Sequence, residues 1–213
     1  MTNGPGTLLV ASGDLPSLVS GYLESDPTQL VLWHRRLQGA AGERRLALVE
    51  ELAAVLGATR VVVADGLPES IATRSMLATV TDLLEACTTA GELGCHRVIW
   101  PIVCGPDSAT LANAVERSCI VSSLAARVDE ARAVSGPVLV EFPVADLADQ
   151  AIADLAEDLG VPDRLFWPCT DEAAARGDLP CGQCVECRRW RLAYAHARVE
   201  WPWAGRSFAA SAG

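Results

Sequence analysis

The sequence predicts an α/β fold: a Rossmann-like parallel five-stranded sheet with helices on both faces, followed by a separate cysteine-rich segment. Three observations predict it. Short apolar runs alternate with longer helical patterns, as parallel strands covered on both faces require. A turn of small residues, Ser12-Gly13-Asp14-Leu15-Pro16-Ser17, joins the first apolar run to a helix. Four cysteines, Cys169, Cys181, Cys184 and Cys187, crowd into one stretch near the C-terminal end. The chain divides accordingly into an α/β domain (1–162), a four-cysteine segment with its helix (163–199) and a tail (200–213).

Residues 7–12 read as a buried strand, because a short continuous apolar run ends there in a turn. The helix after that turn tolerates Pro16 because the proline falls in the first helical turn. Gln29 to His34 is a second strand. Glu43 to Leu56 is an amphipathic helix closed by Gly57. Arg60 to Ala64 is a third strand, and a helix from Ser70 to Leu93 ends at Gly94. The fourth strand is expected from Arg97 to Val103 and the next helix from Ser108 to about Ala133. Pro137 to Phe142 is the fifth strand. Asp146 is expected to cap a helix running to Leu159, where Gly160-Val161-Pro162 stops it. A last helix is expected over Cys187–Val199. Ligands of such sheets sit beyond the C-terminal ends of the strands. That directs attention to residues 12–17, 34–42, 65–75 and 103–108.

Cys181-Gly182-Gln183-Cys184-Val185-Glu186-Cys187 has the spacing C-x₂-C-x₂-C, and Cys169 supplies a fourth thiolate. Four thiolates suit a tetrahedral structural zinc, so the segment reads as zinc-binding. The same spacing opens some iron–sulfur motifs. Haem attachment is disfavoured, because Arg188 stands where C-x-x-C-H requires histidine.

The net charge is −10, which argues against nucleic acid as the main partner. All 17 basic residues are arginines. A lysine-dependent P-loop, a Schiff-base enzyme and a pyridoxal-phosphate enzyme are therefore excluded for this chain alone. No apolar run reaches the roughly 18 residues of a membrane span. With no signal-peptide pattern at the N-terminus, the expected location is the cytoplasm, where clustered thiols hold metal more often than disulfides.

Other residues carry weaker expectations. His34 is expected to be exposed or to cap an element. Cys87, Cys95 and Cys119 read as small core residues, and Cys104 as core at the tip of the fourth strand. Arg188, Arg189, Arg191 and Arg198 make the last helix basic. Trp190, Trp201 and Trp203 cluster near the end, which suggests a homodimer or hetero-oligomer contact.

Two stretches carry a resemblance. Ser12-Gly13-x-x-x-Ser17 resembles the pyrophosphate loop of N-type ATP pyrophosphatases, usually Ser-Gly-Gly-x-Asp-Ser. Phe166-Trp167-Pro168-Cys169, followed by Pro180-Cys181-Gly182-Gln183-Cys184 and Cys187-Arg188, resembles the zinc segment of 7-cyano-7-deazaguanine synthase. Pro143-Val144-Ala145-Asp146-Leu147, continuing to Leu159-Gly160-Val161-Pro162, resembles that family's segment before the zinc loop. The resemblance spans roughly residues 7–199. It implies a PP-loop-type nucleotide-binding domain over 1–162. It also implies ATP-dependent activation, with magnesium, of a carboxylate on a deazapurine-type substrate to an amide or nitrile. Ser12, Gly13 and Ser17 would cradle the pyrophosphate, Arg74 would stand near the nucleotide, and the four cysteines would hold zinc.

The sequence departs from that family at three places. The second loop glycine is Asp14 and the loop aspartate is Pro16. The Gly-Arg-Asn motif reads Thr73-Arg74-Ser75, and the expected Thr-Lys pair reads Ala148-Asp149. Asp14 brings a carboxylate toward a polyanion, a repulsion of about 4 kcal/mol at 4 Å and an effective dielectric of 20. Pro16 removes an N–H donor worth about 1.5–3 kcal/mol to a charged partner. Three nucleotide elements are eroded beside an intact metal segment. The alternative expectation is therefore a catalytically inactive, zinc-bearing partner or small-molecule-binding subunit.

Overall fold

A computed structural model describes residues 6–24, 26, 29–67, 75–128, 137–170 and 179–204. Its centre is β1 (Thr7–Val10). Around it lie β2 (Leu30–Arg35), β3 (Arg60–Ala64), β4 (Arg97–Ile99) and β5 (Leu139–Glu141), in the order β3-β2-β1-β4-β5. Every pairing is parallel. β1 and β2 are apolar because they are covered on both faces. Leu9, Leu30, Leu32 and Ile99 enter one apolar layer, and Leu8, Val31, Trp33 and Val98 enter the other. That alternation is the period of two that a strand imposes on its side chains.

The helices are α1 (Leu15–Tyr22), α2 (Gly39–Leu56), α3 (Ser75–Leu93), α4 (Ser108–Val128), α5 (Asp149–Asp158) and α6 (Val185–Ala197). The first layer is closed by α1, α2, α5 and α6, and the second by α3 and α4. α2 stops at Gly57, which is left-handed at φ 69°. Its start lies before the expected Glu43. A side chain at position 42 would run into the Leu37 carbonyl oxygen, so only glycine lets that backbone approach the first turn.

Other boundaries also differ from expectation: β1 ends at Val10 rather than at residue 12, and β5 covers Leu139–Glu141 rather than Pro137–Phe142. β4 ends at Ile99 rather than Val103, because Pro101 has no N–H to continue a ladder. α5 starts at Asp149 with Ala148 as its N-cap, not at Asp146. The chain spends residues 142–147 in turns, where Ala145 N–H bonds the Phe142 carbonyl and Leu147 N–H bonds the Val144 carbonyl. α6 starts before Cys187, because the Cys184 sulfur accepts the Cys187 N–H and itself caps the helix. The expected helical residues 70–74 and 129–133 lie outside the described residues.

The chain builds β1, β2 and β3 outward on one side and β4 and β5 on the other. The order therefore reverses between β1 and β4, and the loops after these two strands bound a crevice. No helix among the described residues is long and apolar enough to cross a membrane.

Candidate functional site

A cavity of about 380 Å³ occupies that crevice. Ser12, Asp14 and Pro16 form one wall, and Trp100 to Val103 form another. Asp82 reaches in from α3, and Glu186, Arg189 and Trp190 come from α6. The helix after the cysteines therefore forms part of the wall of a cavity that the sheet creates.

The turn after β1 is built for a backbone-lined site. Gly13 sits at φ 74°, a conformation other residues adopt only at a cost. Beneath it, Trp33 carbonyl accepts the Ala11 N–H, and Ala11 carbonyl lies 2.7 Å from His34 Nδ1. Nδ1 is therefore the protonated nitrogen, and it donates. His34 is buried rather than exposed, because it faces the layer under α1 and α2. Burial holds its imidazole below the usual histidine range, outweighing the raising effect of the Ala11 bond.

Asp14 has a second consequence beyond its charge. It is the N-cap of α1, and its carboxylate accepts the Ser17 N–H at 3.0 Å. The Ser17 hydroxyl donates to the Asp14 carbonyl at 2.9 Å, and Ser17 is fully buried. A helix N-terminus attracts anions through its unpaired N–H groups and its dipole. Here one such group is already taken by a carboxylate of the chain itself.

The cation side of the cavity is also internally paired. Arg189 Nε and Nη2 donate to the two Asp149 oxygens at 2.7 and 2.6 Å. Arg189 Nη1 reaches Glu186 at 3.3 Å. Asp149, which stands where the resemblance expects a lysine, thus orients an arginine from another helix. Asp82 bonds Arg35 at 2.8 Å, and burial raises its carboxyl above the usual range despite that arginine.

The cysteine cluster lies next to this wall. The sulfurs of Cys169, Cys181, Cys184 and Cys187 all lie within 4.8 Å of one another, with Cys181 and Cys187 at 3.9 Å. A tetrahedral zinc with bonds of about 2.3 Å places its sulfurs about 3.8 Å apart. Backbone N–H groups of Gln183 and Cys184 point at the Cys181 sulfur at 3.4 and 3.2 Å, and Cys181 N–H points at Cys169 at 3.3 Å. Burial works against the Cys184 thiolate, but hydrogen bonds from Thr170 and Cys187 outweigh it and bring the group to about 6. Burial and the neighbouring sulfurs push Cys187 up. Four thiolates this close cannot all be charged without a cation between them. The donor set, spacing and hydrogen bonds fit a metal ion.

Of the residues read from sequence, Ser12 lines the cavity and Gly13 shapes the turn, while Ser17 is buried behind Asp14. Arg74 lies outside the described residues. Sequence reading did not single out Asp82, Trp100 or the particular role of Arg189, since nothing local says that they share a cavity. Cys87 and Cys95 are buried, but Cys119 is exposed on the outer side of α4 and is not a core residue. Cys104 is half-buried rather than in the core, and burial, with the Asp107 charge, raises its thiol. Trp190 and Trp203 are buried and Trp201 is half-buried. Their rings pack inward around Phe166 rather than lying free on the surface.

Known proteins resemble this chain in a limited stretch. A 7-cyano-7-deazaguanine synthase of Trichormus variabilis is 36% identical over 66 residues, which is 31% of this chain and 27% of that enzyme. The chain resembles 7-cyano-7-deazaguanine synthase. The Acaryochloris marina enzyme of that name is 35% identical over 60 residues, 28% of this chain and 26% of its own length. A Nostoc sp. enzyme of that name is 36% identical over 66 residues, 31% of this chain and 27% of its own. The matches thus span about a quarter of these relatives. No family model matches the chain. A structure of NMN synthetase from Francisella tularensis aligns with 93% of this chain and 79% of that one. The TM-score is 0.44 and the identity 13%.

Proposed function

We propose that this chain is a diverged 7-cyano-7-deazaguanine synthase-like protein. In this reading it takes a planar carboxylated substrate of the deazapurine type into the crevice between β1 and β4. There it activates the carboxylate with magnesium ATP toward an amide or nitrile. The carboxylate displaces pyrophosphate at the α-phosphorus, and ammonia or another amine then displaces AMP to give the amide. For a nitrile, a second ATP activates the oxygen of the primary amide, which leaves with AMP as two protons are lost from nitrogen. The observation that carries the reading is the cavity itself. It lies at the reversal of strand order and is walled jointly by the turn at Ser12–Pro16 and by the helix that follows the cysteines. Cys169, Cys181, Cys184 and Cys187 hold a structural zinc, which fixes α6 against the Phe166–Cys169 segment. A cytoplasmic location and a homodimer or hetero-oligomer accompany this reading.

One observation favours a second reading. The Asp14 carboxylate already occupies the Ser17 N–H at the start of α1. A chain with that site filled from within fits a catalytically inactive, zinc-bearing partner or small-molecule-binding subunit. Calorimetric titration of Mg·ATP into the metal-loaded protein separates the two. Micromolar binding, with pyrophosphate release that a deazapurine carboxylate stimulates, supports the synthase reading. No heat at millimolar ATP supports the inactive one.

A further inference from the structure

We propose that Arg189 is the anchor for the acidic group of the cavity's ligand, and that Asp149 is the positioning residue that aims it. The proposal rests on reading this cavity as the small-molecule site, and it does not depend on ATP.

Among the described residues that line the cavity, Arg189 is the one basic residue, beside Asp14, Asp82 and Glu186. A guanidinium carries five N–H donors in a planar fork. The Asp149 carboxylate takes one on Nε and one on Nη2, and Glu186 takes one on Nη1. One N–H on each terminal nitrogen is left without a partner among the described residues. Two N–H groups on neighbouring terminal nitrogens match the two oxygens of a carboxylate or the edge of a phosphate. The Asp149 fork holds the plane of the guanidinium, so less rotamer freedom is lost when a ligand binds. Arg189 is also part-covered, at 38% exposure, by its own helix and by Trp190, whose ring lies 5.1 Å from the guanidinium carbon.

The other walls select what the acid is attached to. Trp100 and Trp190 are buried indoles that border the cavity. Asp14, Asp82 and Glu186 accept hydrogen bonds and repel anions, so a ligand with several negative charges fits poorly. A flat heterocycle with N–H donors on one edge and a single carboxylate on the other fits both sides. The planar carboxylate of the proposed reading has this shape, and it places its acid on Arg189.

The test uses two probes of equal shape, 7-carboxy-7-deazaguanine and its carboxamide. Each is titrated into the metal-loaded protein and read by tryptophan fluorescence and calorimetry. Wild type is expected to bind the acid at least tenfold more tightly than the amide. Arg189→Gln is expected to lose about ten- to a hundredfold in acid affinity and to leave the amide unchanged. Asp149→Asn is expected to weaken the acid selectively by a smaller factor. An acid-to-amide ratio near one in wild type, or an unchanged ratio in Arg189→Gln, overturns the Arg189 assignment alone. If neither probe binds at millimolar concentration, the reading of the cavity falls, and this inference with it. Metal content and helicity of each variant are measured alongside. If Arg189→Gln fails to fold, Arg189→Lys takes its place, since it keeps the charge but not the fork. It is expected to lose most of the acid preference, and an undiminished preference overturns the assignment.

Discussion

At the scale of single residues, the loop after β1 shows how one substitution changes both charge and hydrogen bonding. Asp14 is an ordinary helix cap in energetic terms, worth about 1 kcal/mol to α1. The same carboxylate bars an anion from the N–H it holds. Pro16 costs the helix nothing, since in the first turn its missing N–H would have had no intrahelical partner. His34 adds a pH dependence from below. Its neutral ring is buried, donates to Ala11 and faces the charges of Arg45 and Glu50. Its folded pKa is depressed, so the unfolded chain binds the proton more readily. The stabilisation is therefore fully present above the ordinary histidine value of 6.5 and is lost as pH falls through the lower folded value. Denaturant midpoints measured from pH 8 to 5 are expected to fall below about 6.5. In His34→Gln that component of the fall is expected to vanish, and an identical slope would remove His34 from the account.

At the scale of elements, the cysteine segment works through its aromatic residues as much as through its sulfurs. Phe166 is 1% exposed and meets the rings of Trp190, Tyr194, Trp201 and Trp203 at 5.8, 6.1, 6.2 and 5.5 Å. Phe166→Ala is expected to cost about 3–5 kcal/mol in chemical denaturation, the range for emptying a buried phenyl site. The strands with continuous apolar runs, β1 and β2, were legible in sequence because both faces are covered. The end of β4 was not, because Trp100-Pro101-Ile102-Val103 is as apolar as a strand yet turns away at the proline. The four sulfurs were legible from spacing alone. The Asp149–Arg189 pair was not, since its partners are distant in sequence and meet only when α5 packs on α6. The inward packing of Trp201 and Trp203 was hidden for the same reason. A terminal tryptophan looks alike in sequence whether its neighbour is the same chain or another.

At the scale of the whole molecule, one apolar layer contains both the sheet and the cysteines. Leu9, Leu18 and Ile152 belong to the same cluster as Phe166, Cys169, Cys187 and Trp190. A metal held by Cys169, Cys181, Cys184 and Cys187 would therefore tie together residues that belong to the layer packed on the sheet. Ligand binding to the folded state alone stabilises it by about 4 kcal/mol at a thousandfold excess over the dissociation constant. For a chain of this size each 1 kcal/mol moves the melting temperature by about 2–4 °C. Chelation, or Cys169→Ser, is thus expected to lower melting by about 10 °C. The shared layer further requires that melting remain one transition. Near-ultraviolet circular dichroism reports the tryptophans around Phe166, and far-ultraviolet reports the helices. The two signals are expected to shift together when metal is removed. A tryptophan signal lost well below an unshifted helical transition would mean that the segment melts alone, as an appendage with its own stability, and that the layer does not transmit the metal's contribution to the sheet.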